Sequence, residues 1–86
     1  MITCQVSLFP LGREDYEKVV LKVLDRLKGF NVEMELTPLS TVIRGDDEEV
    51  WKAVRDLYEE GRKEGGKVIF TVTMTNTMYS PIEVGS

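Results

Sequence analysis

Residues 31–45, NVEMELTPLSTVIRG, decide the fold of this chain. The first part, residues 31–37, alternates apolar and polar side chains, which is the period of a strand with one buried face. Pro38 ends that strand, and Gly45 closes a second β-rich run that begins at Thr41. Because only a few residues separate the two runs, the stretch predicts a β-hairpin.

A helix is predicted on each side of this hairpin. Residues 13–28 carry an amphipathic stripe at intervals of three and four: Tyr16, Val19, Val20, Val23, Leu24 and Leu27. After the hairpin, Asp46 or Asp47 caps a second helix, and Glu49 follows Asp46 at the spacing of a capping box. The apolar stripe of this second helix consists of Val50, Trp51, Val54, Leu57 and Tyr58. We expect Trp51 to lie in the core.

The two ends of the chain add one strand each, because residues 2–9 and 67–75 also alternate. The resulting order, β-α-β-β-α-β, predicts an α+β ferredoxin-like sandwich, with a four-stranded antiparallel sheet and both helices on one face. The usual strand order of this fold is 4-1-3-2. A chain of 86 residues is long enough for a single domain, residues 1–86, with residues 76–86 as a loosely ordered tail.

Alternation also assigns each strand residue to one face of the sheet. The face covered by the helices receives Cys4, Val6, Leu8, Val32, Met34, Leu36, Val68, Phe70, Val72 and Met74. The open face receives Gln5, Ser7, Phe9, Glu33, Glu35, Thr37, Ile69, Thr71, Thr73 and Thr75, and we place Val42 and Arg44 there as well. This face offers hydroxyl groups to a ligand or an apolar pair to a second subunit, although threonine also simply suits strands.

Composition restricts the function. A net charge of -4 argues against nucleic acid and mildly favours a cationic ligand. The absence of histidine removes the commonest general base and metal ligand, so we predict no catalytic residue, no metal and no cofactor. With a single cysteine, Cys4, no signal peptide and no long apolar run, we expect a cytoplasmic protein that does not contact the membrane.

Two motifs carry a family resemblance. Residues 7–12 read SLFPLG, residues 36–45 read LTPLSTVIRG, and an acidic stretch follows at 46–49. Together they resemble the YkoF-like small thiamine-binding family, with its S-x-x-P-x-G strand end and its L-T-P-x-x-T-x-I-E-G hairpin. The chain departs from that pattern at Arg44, where the family usually has glutamate, and in the last strand, which lacks the acidic-plus-arginine ending.

The resemblance implies a ferredoxin-like fold and a homo-oligomer that assembles through its sheets, usually a homotetramer. It also implies non-catalytic binding of thiamine (vitamin B1) or its hydroxymethylpyrimidine half, for carriage, buffering or sensing. An aminopyrimidine needs hydrogen-bonding groups and a flat apolar wall. The candidate ligand-binding residues are the hydroxyls of Ser7, Thr37, Ser40 and Thr41, the amide of Gln5 and the ring of Phe9.

The same reasoning suggests Leu39 and Met34 as further wall residues, although Met34 fits the core better. Glu33 or Glu35 could attract the thiazolium cation, but charge that protects an edge strand from aggregation is the preferred interpretation of both. Thr37 and Thr41 flank a tight hairpin, so a role in the turn is nearly as strong an interpretation as ligand contact.

Other readings of the same fold remain open. An acylphosphatase-like enzyme needs a phosphate-cradling loop with an arginine, and Arg13 is roughly placed for it. An ACT-like regulatory module usually accompanies a catalytic domain, and a pure interaction module needs no ligand at all. We expect the chain to be no enzyme, because no acid-base pair is apparent.

Overall fold

The computed structural model describes residues 1–77 and confirms the predicted order of elements. The strands are β1 (Ile2–Pro10), β2 (Glu33–Leu36), β3 (Thr41–Gly45) and β4 (Val68–Thr75). The helices are α1 (Tyr16–Leu24), which continues as a 3-10 turn over Asp25–Gly29, and α2 (Asp47–Gly65). Residues 78–86 of the predicted tail lie outside the described residues.

The four strands form one antiparallel sheet in the order β2-β3-β1-β4, which is the predicted arrangement. In the register, Gln5 of β1 lies opposite Val42 on one side and Thr73 on the other. Directly opposed residues share a face. Val42 and Arg44 therefore lie on the open face, as predicted.

The core lies between the covered face of the sheet and both helices. Its buried apolar residues are Ile2, Cys4, Val6, Val19, Val23, Leu27, Ile43, Val50, Ala53, Val54 and Leu57. Burial raises the pKa of the Cys4 thiol. Cys4 is thus a small buried hydrophobe rather than a reactive thiolate.

The first helix is shorter than the predicted range of 13–28. The Arg13 side chain donates to the Asp15 carboxylate at 2.8 and 2.9 Å and to the backbone carbonyl of Glu64 at 2.9 Å. These bonds tie residues 13–15 to the end of α2 as a loop, so α1 begins at Tyr16. After Leu24 the chain tightens into the 3-10 turn, a common way for a helix to end.

Two predictions about α2 were wrong. Trp51 is 56% exposed, because the buried side of the helix is centred on Val50, Ala53 and Leu57 and the small Ala53 occupies the core position. Asp46 is the N-cap residue, but its side chain makes no capping hydrogen bond. Glu49 does not complete a capping box, since its carboxylate instead accepts a bond from the Asn31 backbone N–H at 3.2 Å.

The edge strand β2 is less covered than its pattern predicted. Met34 and Leu36 lie opposite Ile43 and Thr41, on the helix side of the sheet, yet both are exposed. The reason is that α1 packs against β1 and α2 and makes little contact with β2. A gap is therefore left between α1 and the β2–β3 hairpin.

Candidate functional site

A cleft of about 480 Å³ occupies this gap. Such a volume suits a small-molecule ligand. The described residues that line it are Val6, Ser7, Leu8, Phe9, Tyr16, Glu17, Val20, Leu21, Val23, Leu24, Leu36, Thr37, Pro38, Leu39, Ser40, Thr41, Leu57 and Phe70. Apolar side chains dominate, with a few polar groups among them.

The end of β3 explains why residues from both sheet faces meet in one cleft. The last β1–β3 pair joins Val6 to Thr41, whereas β1 continues to Pro10 with only β4 beside it. Ser7 and Phe9 belong to the open face by alternation, but past this point no strand separates them from the β2–β3 loop. They line the cleft together with the covered-face residue Thr41.

The β2–β3 loop is organised by Thr37. Its hydroxyl donates to the Ser40 carbonyl at 2.8 Å and accepts from the backbone N–H groups of Ser40 at 3.0 Å and Leu39 at 3.3 Å. The backbone N–H of Thr37 also donates to the Ser40 carbonyl, at 2.8 Å. One donor and two lone pairs are all that a hydroxyl has. Thr37 therefore has no hydrogen-bonding capacity left for a ligand.

Four other hydroxyls in the lining make no side-chain hydrogen bond within residues 1–77, those of Ser7, Tyr16, Ser40 and Thr41. Thr41 begins β3 and is only 5% exposed, so its position is fixed by the sheet and the core around it. Ser7 is exposed, and no buried side-chain oxygen or nitrogen among the described residues is left without a partner, so the Ser7 and Thr41 hydroxyls both stay accessible from the cleft. Ser7 and Thr41 are thus hydrogen-bonding candidates of the cleft that lie on adjoining strands.

An aromatic pair forms the mouth of the cleft. The rings of Phe9 and Tyr16 lie 5.7 Å apart, centre to centre, with 32° between their planes. Both rings are partly exposed, and the pair connects β1 to the first turn of α1. Beside it, Leu39 is 88% exposed at the tip of the β2–β3 loop. This end of the cleft offers flat apolar surface to a planar ligand.

Among the described residues that line the cleft, Glu17 is the one with a charged side chain. It follows Tyr16 in the first turn of α1, and its carboxylate makes no ion pair within the described part of the chain. Arg13 lies outside the lining, bound to Asp15, whose pKa it lowers by hydrogen bonding.

The structure brings most of the predicted site residues together. Ser7, Phe9, Thr37, Ser40 and Thr41 line the cleft, as does the suggested wall residue Leu39. Gln5 lies outside it, on the open face between Val42 and Thr73, and Met34 is also absent from the lining.

The two glutamates of β2 lie apart from the cleft. Glu33 and Glu35 line a shallow depression with Arg44, and the Arg44 guanidinium is 3.8 Å from the Glu33 carboxylate. This placement on an edge strand agrees with the protective interpretation of both residues.

Sequence reasoning missed the α1 side of the cleft, including Tyr16, Glu17 and Leu21. A signal for it existed. Leu21 falls outside the apolar stripe of α1 and is 60% exposed. An isolated apolar residue beside a stripe widens the apolar surface beyond what the core requires.

No cluster of three or more metal-ligating side chains is found among residues 1–77. None of the helices formed by these residues is long and apolar enough to cross a membrane.

Comparison with known proteins gives a family match over nearly the whole chain. The sequence model of the YKOF-related family matches residues 1–81. A UPF0045 protein of Methanocaldococcus jannaschii is 29% identical over 58 residues, which is 66% of this chain. The matched part spans 58% of that relative's own length.

Solved structures share the fold. The crystal structure of the M. jannaschii protein gives a TM-score of 0.81 at 22% identity, covering 92% of this chain and 82% of that one. A Streptococcus pneumoniae protein gives 0.83 at 23% identity, covering 90% and 87% respectively. A Thermotoga maritima protein, whose name provisionally assigns it to thiamine biosynthesis or salvage, gives 0.78 at 14% identity, covering 88% and 83%. At these identities the likeness shows the fold alone.

Proposed function

This chain belongs to the YKOF-related family, and on that premise we propose that its cleft binds thiamine or the hydroxymethylpyrimidine half of thiamine without catalysing a reaction. The observation that carries the proposal is the combination, in one cleft, of flat apolar walls with hydroxyls that make no side-chain hydrogen bond in the described chain, among them Ser7 and Thr41. The name of the T. maritima structural neighbour supports the same class of ligand. Carriage, buffering and sensing are the roles open to such a binder.

The chemistry of an aminopyrimidine fits these groups. Its amino group donates hydrogen bonds and its ring nitrogens accept them, and a hydroxyl can take either part. Ser7 and Thr41 offer that choice from the neighbouring strands β1 and β3, while Phe9 and Tyr16 offer ring surface for stacking.

The absence of catalysis is part of the proposal. The lining contains neither histidine nor cysteine, the groups that most often act as base or nucleophile. The acylphosphatase-like alternative requires Arg13 to hold a phosphate. In this fold Arg13 already binds Asp15 and the Glu64 carbonyl, which favours a structural role for it.

Self-assembly is also proposed. The open face carries Ile69, which is about half exposed and lies opposite Phe9, whose ring faces Tyr16 at the cleft. A second copy of the sheet would bury Ile69, and pairs of such dimers would give the homotetramer that the family resemblance implies. The cytoplasmic location and the absence of a cofactor rest on the sequence and stay predictions.

Titration calorimetry on the full chain tests the binding proposal with thiamine and hydroxymethylpyrimidine as ligands. The parent should bind both, and Ser7→Ala and Thr41→Val should each weaken binding by about 2- to 10-fold, the equivalent of one lost hydrogen bond. Thr73→Val is the matched control, because Thr73 is exposed on the open face outside the cleft.

Failure of the parent to bind either compound would contradict the proposal. Binding that neither cleft variant weakens would place the ligand elsewhere on the molecule.

A further inference from the structure

We propose that the cleft discriminates by charge, accepting a cationic heterocycle and rejecting its phosphate esters, with Glu17 as the specificity-determining residue. The inference rests on the proposed function and names the charge class of the ligand at the same site. It follows from which charged side chains line the cleft and which lie just outside it.

The lining is negative overall. Glu17 contributes a carboxylate, whereas no lysine or arginine is among the residues that line the cleft. Within residues 1–77 this carboxylate has no basic partner that would cancel its charge. Glu17 is exposed, so its field acts on a ligand at the surface of the cleft and is screened by salt.

The basic side chains near the cleft either form ion pairs or lie outside the lining. Arg13 is bound to Asp15, and the Lys22 ammonium donates to the Glu64 carboxylate at 3.0 Å. Lys18 follows Glu17 directly but does not line the cleft. None of these cations is therefore placed to receive a phosphate group within the cleft.

The N-terminus of α1 does not make the cleft favourable for a phosphate group. A helix N-terminus favours an anion, but the first turn of α1 already holds the Glu17 carboxylate. A phosphate brought to this point would meet that negative charge, while the neighbouring Asp15 carboxylate is paired with Arg13. The helix end thus favours a ligand without phosphate.

A cationic ligand is stabilised at the same end of the cleft. Glu17 is adjacent in sequence to Tyr16, whose ring pairs with that of Phe9 at the mouth of the cleft. A positively charged ring there is attracted both by the carboxylate and by the aromatic faces. We therefore assign the thiazolium end of the ligand to the Glu17 side and the pyrimidine end to the side of Thr41.

The test is calorimetry on the parent, Glu17→Gln and Glu14→Gln, each titrated with thiamine, hydroxymethylpyrimidine and thiamine monophosphate. Glu14→Gln removes the same charge from a residue that is exposed and outside the lining. The parent should bind thiamine at least about fivefold more tightly than the monophosphate. Glu17→Gln should weaken thiamine about 3- to 10-fold, leave the neutral pyrimidine within about twofold and narrow the gap to the monophosphate.

Three results decide the matter. Equal affinity of the parent for thiamine and its monophosphate overturns the charge inference and leaves the proposed function standing. An equal loss of thiamine affinity in Glu14→Gln and Glu17→Gln also overturns it, because net charge alone would then explain the effect. If the parent binds none of the three compounds, the proposed function fails and the inference with it.

Discussion

Thr37 and Thr41 both line the cleft, but their hydroxyls have different roles. The Thr37 hydroxyl makes all of its hydrogen bonds within the β2–β3 loop. Thr41 lies in strand β3, and its hydroxyl makes no side-chain hydrogen bond in the described chain. The sequence motif places both residues at the site, but only a structure separates the residue that builds the loop from the one that is free to bind.

The role of Thr37 can be measured as stability. Thr37→Val should lower the free energy of unfolding by about 1–2 kcal/mol, because the loop N–H groups of Leu39 and Ser40 lose their acceptor. Thr37→Ser keeps the hydroxyl and should recover most of this loss. Urea denaturation of both variants, with Thr73→Val as the exposed control, checks the prediction. If Thr37→Val is as stable as the parent, the loop does not depend on this hydroxyl.

Alternation and motif were enough to select some of the residues that line the cleft. Ser7 and Phe9 reach the cleft, but Gln5, on the same face, does not, because it still has β3 beside it at Val42. The point at which β3 ends relative to β1 is a matter of register, which the pattern of β1 alone does not contain. Glu17 was missed because a charged residue on the flank of a helix looks like an ordinary solvated side chain.

At the scale of elements, the cleft exists because α1 is held against α2 and away from β2. The Arg26 guanidinium donates two hydrogen bonds to the Asp56 carboxylate, at 2.7 and 2.9 Å, and Lys22 reaches Glu64 further along. The apolar stripes predicted both helices, but they did not predict these cross-helix pairs. Trp51 shows the same limit, since its place on the stripe of α2 did not reveal which side of the stripe faces the core.

The Arg26–Asp56 pair makes stability depend on pH. The hydrogen bonds from Arg26 lower the pKa of the Asp56 carboxyl below its ordinary value. A lowered pKa in the folded state gives stability that is fully present above the unfolded pKa of about 3.9 and is lost as the pH falls through the folded value. At pH 7, Asp56→Asn should lower the free energy of unfolding by about 1 kcal/mol, the upper range for partly exposed pairs.

Urea denaturation of the parent and Asp56→Asn between pH 7 and pH 2 checks this. The difference between the two should shrink toward zero at the acid end. Asp25→Asn is the control, because the Asp25–Lys28 pair is exposed, lies within one short segment and should contribute less. A difference that is independent of pH would show that the pair does not stabilise the fold through charge.

For the whole molecule, strand order and layers followed from the sequence because few topologies connect β-α-β-β-α-β segments with right-handed crossovers. The existence of the cleft could not be predicted from the sequence. A cleft is a gap between layers, set by how far α1 lies from the hairpin, and neither segment encodes that distance alone.

The proposed homotetramer is a property of the whole molecule and can be tested directly. Sedimentation at micromolar concentration should give a multiple of the 9.8 kDa chain mass, with a tetramer expected. Ile69→Lys should dissociate the assembly by placing a charge in the open face, whereas Leu21→Lys, on the helix side, should not. A monomeric parent would contradict sheet-to-sheet assembly.

The proposed function requires an aminopyrimidine to occupy the cleft between α1 and the β2–β3 loop. The most direct measurement is an amide NMR titration of the isotopically labelled full chain with thiamine, following every backbone N–H. We expect saturable shifts concentrated at Ser7, Tyr16, Glu17 and Thr41, with Gln5 and Thr73 on the open face unmoved. Saturable shifts centred on Gln5 and Thr73, or no saturable shifts at all, would contradict it.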